Sequence, residues 1–484
     1  MTISSAMQTA LSGLRAAART TDVISMNIAN STTPGFARRQ LELVAQDAQF
    51  GGGVSIGGVV RLTPPGVLAA RRDAQADVAY ASIANQFLTG LETSVGTPDN
   101  PRAISNLVAD FDTSLLEAAS RPDATERLQV VLAAAHRLVA AFNETSEDIS
   151  NARGSADTAI GAQVVRLNGA LEEVEYLNRE IARANVTGLD ASALVDMRQI
   201  VIDEVHEMVP VRESIRDNGQ VALYSLEGVV LLDGPASQFE FTTANQVTPY
   251  MTLDGGQLSG LVLNGRTIRM DSAGGSLPGG SLAAQFAVRD ELGEDAQAQL
   301  DAAARNLIER FQNPAVDPTL SATDAGLFTD GGLAFDAANE VGLAERLGVN
   351  AAVDPEQGGE EWRIRDGINA AAPGAVGQSA IIDNLRAALS ERLVTGSGDF
   401  GTGALTMTDL ATGMLGRIGV QRVSAEQSLA FSSAALFETS QAELAAGVDT
   451  DTELQHLLVV EKAYAANVRM IETVDEMMET LLRL

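Results

Sequence analysis

Residues 27–36 read NIANSTTPGF, and they close the first clear pattern in the chain. Leading into them, Ile3, Met7, Ala10, Leu14, Ala17, Thr21, Ile24 and, within the stretch, Ile28 recur at alternating steps of four and three. That spacing is one stripe along a helix and a heptad-type seam. The stripe stops at Asn30-Ser31-Thr32-Thr33-Pro34-Gly35. Pro34 has no N–H to donate and biases Thr33 towards extended backbone, while Gly35 tolerates positive φ. The stretch therefore predicts a deliberate helix stop near the start of a chain of 484 residues.

The other end mirrors it. Leu457, Val460, Tyr464, Asn467, Ile471, Val474, Met478 and Leu481 repeat at three and four, with Asn467 the one strongly polar position. Thr450 and Glu453 suggest a capping box before this run, and Asp449 and Asp451 suit the positive end of a helix. The two ends are thus the coiled-coil candidates, and everything between them reads as an insertion.

Within the insertion, RRQLELVA and GGGVSIGGVVRL predict two short strands around a Gly-rich turn. From about 65 to 207 the pattern is helical: Phe87, Leu91 and Val95 share a face, and further stripes run over Leu128–Phe142 and Leu167–Ile181. After Pro210 the period changes to two, broken at Asp217-Asn218-Gly219 and Asn264-Gly265; the latter predicts a type I′ hairpin turn. Helix returns over 281–311, and a Gly-, Ala- and Asp-rich region with Trp362 precedes more helix up to about 447. The expected fold is mainly α with a small β insertion. Its expected domains are a terminal coiled coil (1–45 and 448–484), a helical middle (46–208 and 281–447) and an inserted β domain (209–280).

Composition narrows the function. A net charge of −31, with Lys462 the only lysine, disfavours nucleic acid and anionic membrane surfaces as partners. Cysteine is absent, which removes disulfide and thiolate chemistry. The start lacks the basic and apolar regions of a cleaved secretory signal, and no window approaches a membrane span. Apolar residues make up 45% but aromatic ones only 4%, a balance that suits long helices packed side by side.

Enzyme-like signals fail on inspection. GVSIG (53–57) matches a nucleophile elbow, but strand-like residues follow Ser55 where a helix must start. His206-Glu207 begins a zinc motif whose second histidine is replaced by Pro210. DTDTE (449–453) lacks the glycine and bidentate glutamate of a calcium loop, with Leu454 and Val460 in those places. Lys462 follows glutamate, so no phosphate-binding loop is present. His136 and His456 stand far from His206 in the sequence. Neither catalysis nor a cofactor or metal is expected. Narrow, Ala-rich terminal seams give a lone helix pair little stability, so the ends are expected either to order on assembly with each other or with copies of the chain, or to pack on the chain's own core as ordinary amphipathic helices; the pattern alone does not choose between the two.

MNIANSTTPGFARRQLEL resembles the N-terminal signature of the bacterial flagellar rod, hook and hook-associated proteins, carried here by Asn27, Asn30, Thr33, Pro34, Gly35 and Phe36. Phe36 stands where the family more often has tyrosine. The tail, with Ala463-Tyr464-Ala465-Ala466-Asn467 and Met478 to Leu481, is similar to the matching C-terminal signature. The helical interior, and the points GGSL (279–282), Arg289-Asp290 and Leu300-Asp301, resemble the hook-associated branch.

The resemblance implies a structural component in discontinuous layers, with terminal helices innermost and the β insertion outermost. It would act as an adaptor at the hook–filament junction. Copies of itself, hook protein and the next hook-associated protein would be its partners. It would leave the cell through the flagellar type III export apparatus, with a chaperone holding the C-terminal helix beforehand, and reside in the extracellular flagellum. The implied assembly interface comprises Ile3, Met7, Leu14, Ile24, Asn27, Ile28, Asn30 and Thr33–Phe36, then Leu457, Val460, Tyr464, Asn467, Ile471, Val474, Met478 and Leu481. Hook protein itself, or a secreted adhesin-type protein acting through the β insertion, is the alternative.

Overall fold

The computed structural model describes residues 3–33, 35–46 and 52–483. Helix α1 (Ile3–Ala29) ends where the sequence predicts, and Gly35 takes φ 75° in the turn that follows. Strands β1 (Arg38–Ala45) and β2 (Val54–Leu62) pair antiparallel, with a bulge between Glu42 and Leu43. The turn proper, at 47–51, lies outside the described residues. Ser55 sits inside β2, where no helix follows to raise it as a nucleophile.

Four helices come next: α2 (Pro65–Val95), α3 (Ile104–Ser120), α4 (Thr125–Thr187) and α5 (Ser192–Met208). Both apolar stripes expected between 128 and 181 lie on the single helix α4, whose 63 residues span about 95 Å. One sheet holds β3 (Val211–Ile215), β4 (Val221–Ser225) and β5 (Val230–Leu232) in that order. A second holds β6 (Phe239–Glu240), β7 (Leu261–Leu263) and β8 (Arg266–Ile268). Asn264 and Gly265 both take positive φ between β7 and β8, as a type I′ turn requires.

The helix expected at 281–311 is interrupted. Helix α6 (Gly280–Ala287) runs through a π-turn at Val288–Leu292 into α7 (Gly293–Phe311). Short elements follow: β9 (Phe328–Asp330), α8 (Leu343–Arg346), β10 (Leu347–Val349), α9 (Arg363–Asp366), α10 (Ala380–Ser390), β11 (Leu393–Val394) and β12 (Ala404–Leu405). Helix α11 (Met407–Ala445) then packs back along α2, and α12 (Thr450–Leu482) along α1.

Two apolar cores string along α4. The first half, with α3, α7, α10 and the near ends of α2 and α11, surrounds Phe111, Phe311 and Phe328, whose ring centroids lie 5.1–6.0 Å apart. The second half packs against α5, α6 and both three-stranded sheets. The β insertion therefore has no separate core; its inner residues Leu223, Leu232 and Leu261 are buried among those of α4 and α6. Between the cores, Arg289 in the π-turn forms a wholly buried ion pair with Asp157 of α4 at 2.7 Å and donates to the Ser259 carbonyl. Arg153 donates to the carbonyls of Arg289 and Met251. These two guanidinium groups fasten the β insertion to the helices.

No residue of α1, β1, β2 or α12 belongs to either core. The terminal pair is held from outside.

Candidate assembly site at the chain ends

Asn27, one turn before the helix stop, is buried. Its Oδ1 accepts from the Arg39 N–H at 2.9 Å, and its Nδ2 donates to the Arg39 carbonyl at 2.8 Å. An asparagine amide thus mimics a strand partner and folds β1 back onto α1. The same Nδ2 donates to Glu453 Oε2 at 3.2 Å, across 426 residues of sequence. Arg38 Nε completes the clasp by donating to Glu453 Oε1 at 2.6 Å. A buried carboxylate, 2% exposed, is in this way paired and hydrogen-bonded, as burial demands.

This use of Glu453 corrects the expected capping box. The N-cap of α12 is Asp449 rather than Thr450, and it accepts from the Asp451 and Thr452 N–H groups. The Thr452 hydroxyl and these N–H groups hold the Asp449 carboxyl below the usual carboxylate range. Glu453 faces away from its own helix end, towards Arg38 and Asn27. With the cap one residue earlier than expected, Glu453 falls at N4 rather than at the N3 position of a capping box, and its carboxylate goes instead to a charged partner shielded from water.

Asn467 has a matching niche. Gly13 on α1 lies against it so closely that a Cβ there would fall 2.7 Å from Asn467 Nδ2. From the Gly13–Asn467 contact to the Asn27–Glu453 contact is fourteen residues along α1 and fourteen back along α12. The pair is therefore antiparallel and keeps register over two heptads.

Among the other expected interface residues, Ile24 and Val474 are buried; Ile3, Leu14, Ile28, Asn30, Phe36, Leu457, Val460, Asn467 and Ile471 are half-buried. Met7, Thr33, Gly35, Tyr464, Met478 and Leu481 are exposed. Pro34 lies outside the described residues. Asn30 and Thr33 bond locally: Asn30 Nδ2 donates to the Met26 carbonyl at 2.9 Å, and Thr33 Oγ1 to Asn30 Oδ1 at 3.3 Å. Phe36 lies 4.8 Å from the Arg39 guanidinium, which stacks on its ring. That contact uses the ring face, so phenylalanine serves it without a phenol.

Arg39 and Arg61 stand opposite each other on β1 and β2, and both bind Asp196 of α5, at 2.7 and 2.6 Å. A Cβ on Gly35 would fall 2.5 Å from Ile200 of the same helix, so the turn seats directly on α5. Periodicity could not single out Gly13, Arg38, Arg39, Arg61, Asp196 or Glu453, because their partners are remote in sequence. The one available hint was the paired arginine of FARRQ beside a strand.

His206 is buried, and burial lowers its pKa. Its Nδ1 accepts from the Val211 N–H at 3.3 Å and its Nε2 lies 2.9 Å from Asp73. The ring joins α5 to α2 and β3. No helix among the described residues is long and apolar enough to cross a membrane.

Comparison with known proteins follows this geometry. Residues 7–36 match the family described as flagella basal body rod protein, and 440–484 the C-terminal family of the flagellar basal body rod FlgEFG proteins. Residues 88–314 match the helical domain of flagellar hook-associated protein FlgK. The chain is 22% identical to flagellar hook-associated protein 1 of Bacillus subtilis (strain 168), over 98% of this chain and 96% of that one. It is 23% identical to flagellar hook-associated protein 1 of Escherichia coli (strain K12), over 100% of both. A solved structure, the flagellar hook junction protein FlgK from Burkholderia pseudomallei, aligns with 55% of this chain and 47% of its own at TM-score 0.46 and 19% identity. Rod-type signatures thus stand at the paired ends, a match to the FlgK helical domain lies between them, and the similarity to flagellar hook-associated protein 1 runs from end to end.

Proposed function

We propose that the chain is a structural adaptor seated at the junction of hook and filament and joined to its neighbours through the terminal helices. The observation that carries this reading is the poverty of cover on α12. Of its 33 residues only Glu453 and Val474 are buried, while Leu458, Val459, Met470, Met477 and Leu481 stand exposed. A helix with so much apolar surface in water needs more partners than α1 supplies. Copies of the chain, hook protein and the next hook-associated protein fit that need. The expected interface residues divide accordingly: Ile24, Asn27 and Val474 hold α1 to α12, and Met7, Tyr464, Met478 and Leu481 remain for neighbours.

Export through the flagellar type III apparatus suits a chain whose ends lie outside both cores, since they can thread first or last without dismantling a core. A chaperone on α12 would shield the same surface before export. The layers follow from the same arrangement: the terminal pair inside, the α4 cores next, the β insertion outermost. A structural family with this interface calls for no catalytic residue.

Deletion of the gene decides the junction role. Cells lacking the chain are expected to build hooks without attached filaments and to lose motility; filaments on such cells would refute the adaptor. Removal of residues 450–484 is expected to abolish chaperone binding, measured by co-purification, and unchanged binding would remove the chaperone from this account.

A further inference from the structure

We propose that Asn218, at the tip of the hairpin between β3 and β4, is a site of spontaneous deamidation, which converts it to aspartate and isoaspartate while the protein stays folded. The chain holds three Asn-Gly pairs, Asn168-Gly169, Asn218-Gly219 and Asn264-Gly265, and sequence alone makes them equivalent. Glycine favours the reaction at each, because without a Cβ it leaves its own nitrogen open to approach and the peptide free to rotate. The fold then separates the three by what holds the side-chain amide.

Asn168 lies within α4, where its Nδ2 donates to the Phe239 carbonyl at 2.8 Å and its Oδ1 accepts from the Phe239 N–H at 2.9 Å. Asn264 Nδ2 donates to Ser237 Oγ at 3.2 Å, and its Oδ1 accepts from the Gln238 N–H at 2.9 Å. Both amides are clamped at each end. The Asn218 side chain is exposed, and among the described residues nothing hydrogen-bonds it. Backbone shape and exposure do not make this contrast. Asn264 is exposed at a hairpin tip too, and the two asparagines take φ of 48° and 55°, each before a glycine at 77°. Asparagine tolerates that left-handed region, so neither tip is strained out of its turn. The clamp is what differs.

In the reaction, the Gly219 nitrogen gives up its proton and bonds to Asn218 Cγ, closing a succinimide ring. The Cγ–Nδ2 bond breaks, and Nδ2 leaves as ammonia, taking up that proton. Water then adds to either ring carbonyl and breaks its bond to the Gly219 nitrogen. Attack at Cγ leaves aspartate; attack at the main-chain carbonyl leaves isoaspartate. Ring closure needs the peptide after Asn218 to turn over from ψ 27°, which releases the bond from Asn185 Nδ2 to the Asn218 carbonyl at 2.9 Å. Either product puts a carboxylate where a neutral amide stood, so each converted copy becomes more acidic by one charge.

The test warms the full chain at mildly alkaline pH, folded or in urea, and reads each site by peptide mass mapping and by enzymatic methylation of isoaspartate. In the folded chain Asn218 should convert at least about tenfold faster than Asn168 or Asn264, since each of those must first break two hydrogen bonds. In urea the three rates should converge. Asn218→Gly keeps the positive φ and removes the amide, so the acidic drift of the wild type on isoelectric focusing should disappear over the same time. Similar rates at all three sites of the folded chain overturn the proposal. So does a folded chain whose Asn218 stays intact for as long as urea takes to convert all three, or an undiminished drift in N218G.

Discussion

Asn27 supplies the sharpest argument at the scale of single residues. Its amide fills three roles at once, towards both backbone groups of Arg39 and towards Glu453. N27A strands the Arg39 N–H and removes one donor from a buried carboxylate, a loss of about 1–3 kcal/mol. Trp362, the only tryptophan, lies far along the chain from this clasp and reports the middle of the molecule. In urea, N27A and E453Q should advance the loss of far-ultraviolet helical signal while leaving the Trp362 transition in place. A shift of both together would mean that the clasp is not a separate unit.

Asp301 offers a pH test. It accepts from the Gly342 and Ala344 N–H groups and from Gln297, yet burial outweighs these donors and pushes its carboxyl up to about 6. The folded chain therefore holds this proton more tightly than the unfolded one, whose carboxyl titrates near 3.9. Stability from this group is present below about pH 4 and is lost as pH rises through 6. Relative to D301N, the wild type should lose up to about 3 kcal/mol between those limits, read from urea midpoints. A difference between the two proteins that stays flat with pH would show that the carboxyl titrates normally.

Among the elements, the terminal pair depends on close approach at one glycine. Glycine inside a helix costs about 0.5–1 kcal/mol relative to alanine. Gly13→Ala should therefore stabilise α1, except that the new methyl meets the Asn467 side chain. In an N467A background the clash is gone, and G13A should then gain about 0.5–1 kcal/mol. In the wild-type background the gain should be absent or reversed. Equal effects in both would break the inferred antiparallel register. That register was not legible beforehand: both seams were plain in the sequence, but heptads say which face is buried, not the direction or offset of the partner. Similarly, Glu453 looked like a capping residue because the N3 position and the acidic first turn satisfy local rules. Only the approach of Arg38 showed otherwise.

At the scale of the whole molecule, α4 is the spine, and both cores are built on it without the ends. A chain of residues 63–447 should keep the Trp362 unfolding transition of the full protein, although Asp196 loses both arginine partners. It should not assemble. Collapse of the truncated chain would place the terminal pair within the folding unit.

The helical stretches, the stop of α1 and the change of period after Pro210 were determined by the sequence itself, since proline, glycine and apolar spacing act on the backbone within a turn or two. So were the hairpin at Asn264-Gly265 and the terminal signatures. The breaks between α2, α3 and α4 and the π-turn at Val288–Leu292 were not. The tertiary structure alone decided that the β insertion shares its core with α4, that Arg289 pairs with Asp157, and that Glu453 closes a clasp with Asn27. Each of those depends on side chains brought together from more than a hundred residues apart, or on a face offered to several possible neighbours. Local pattern carries no record of which neighbour arrives.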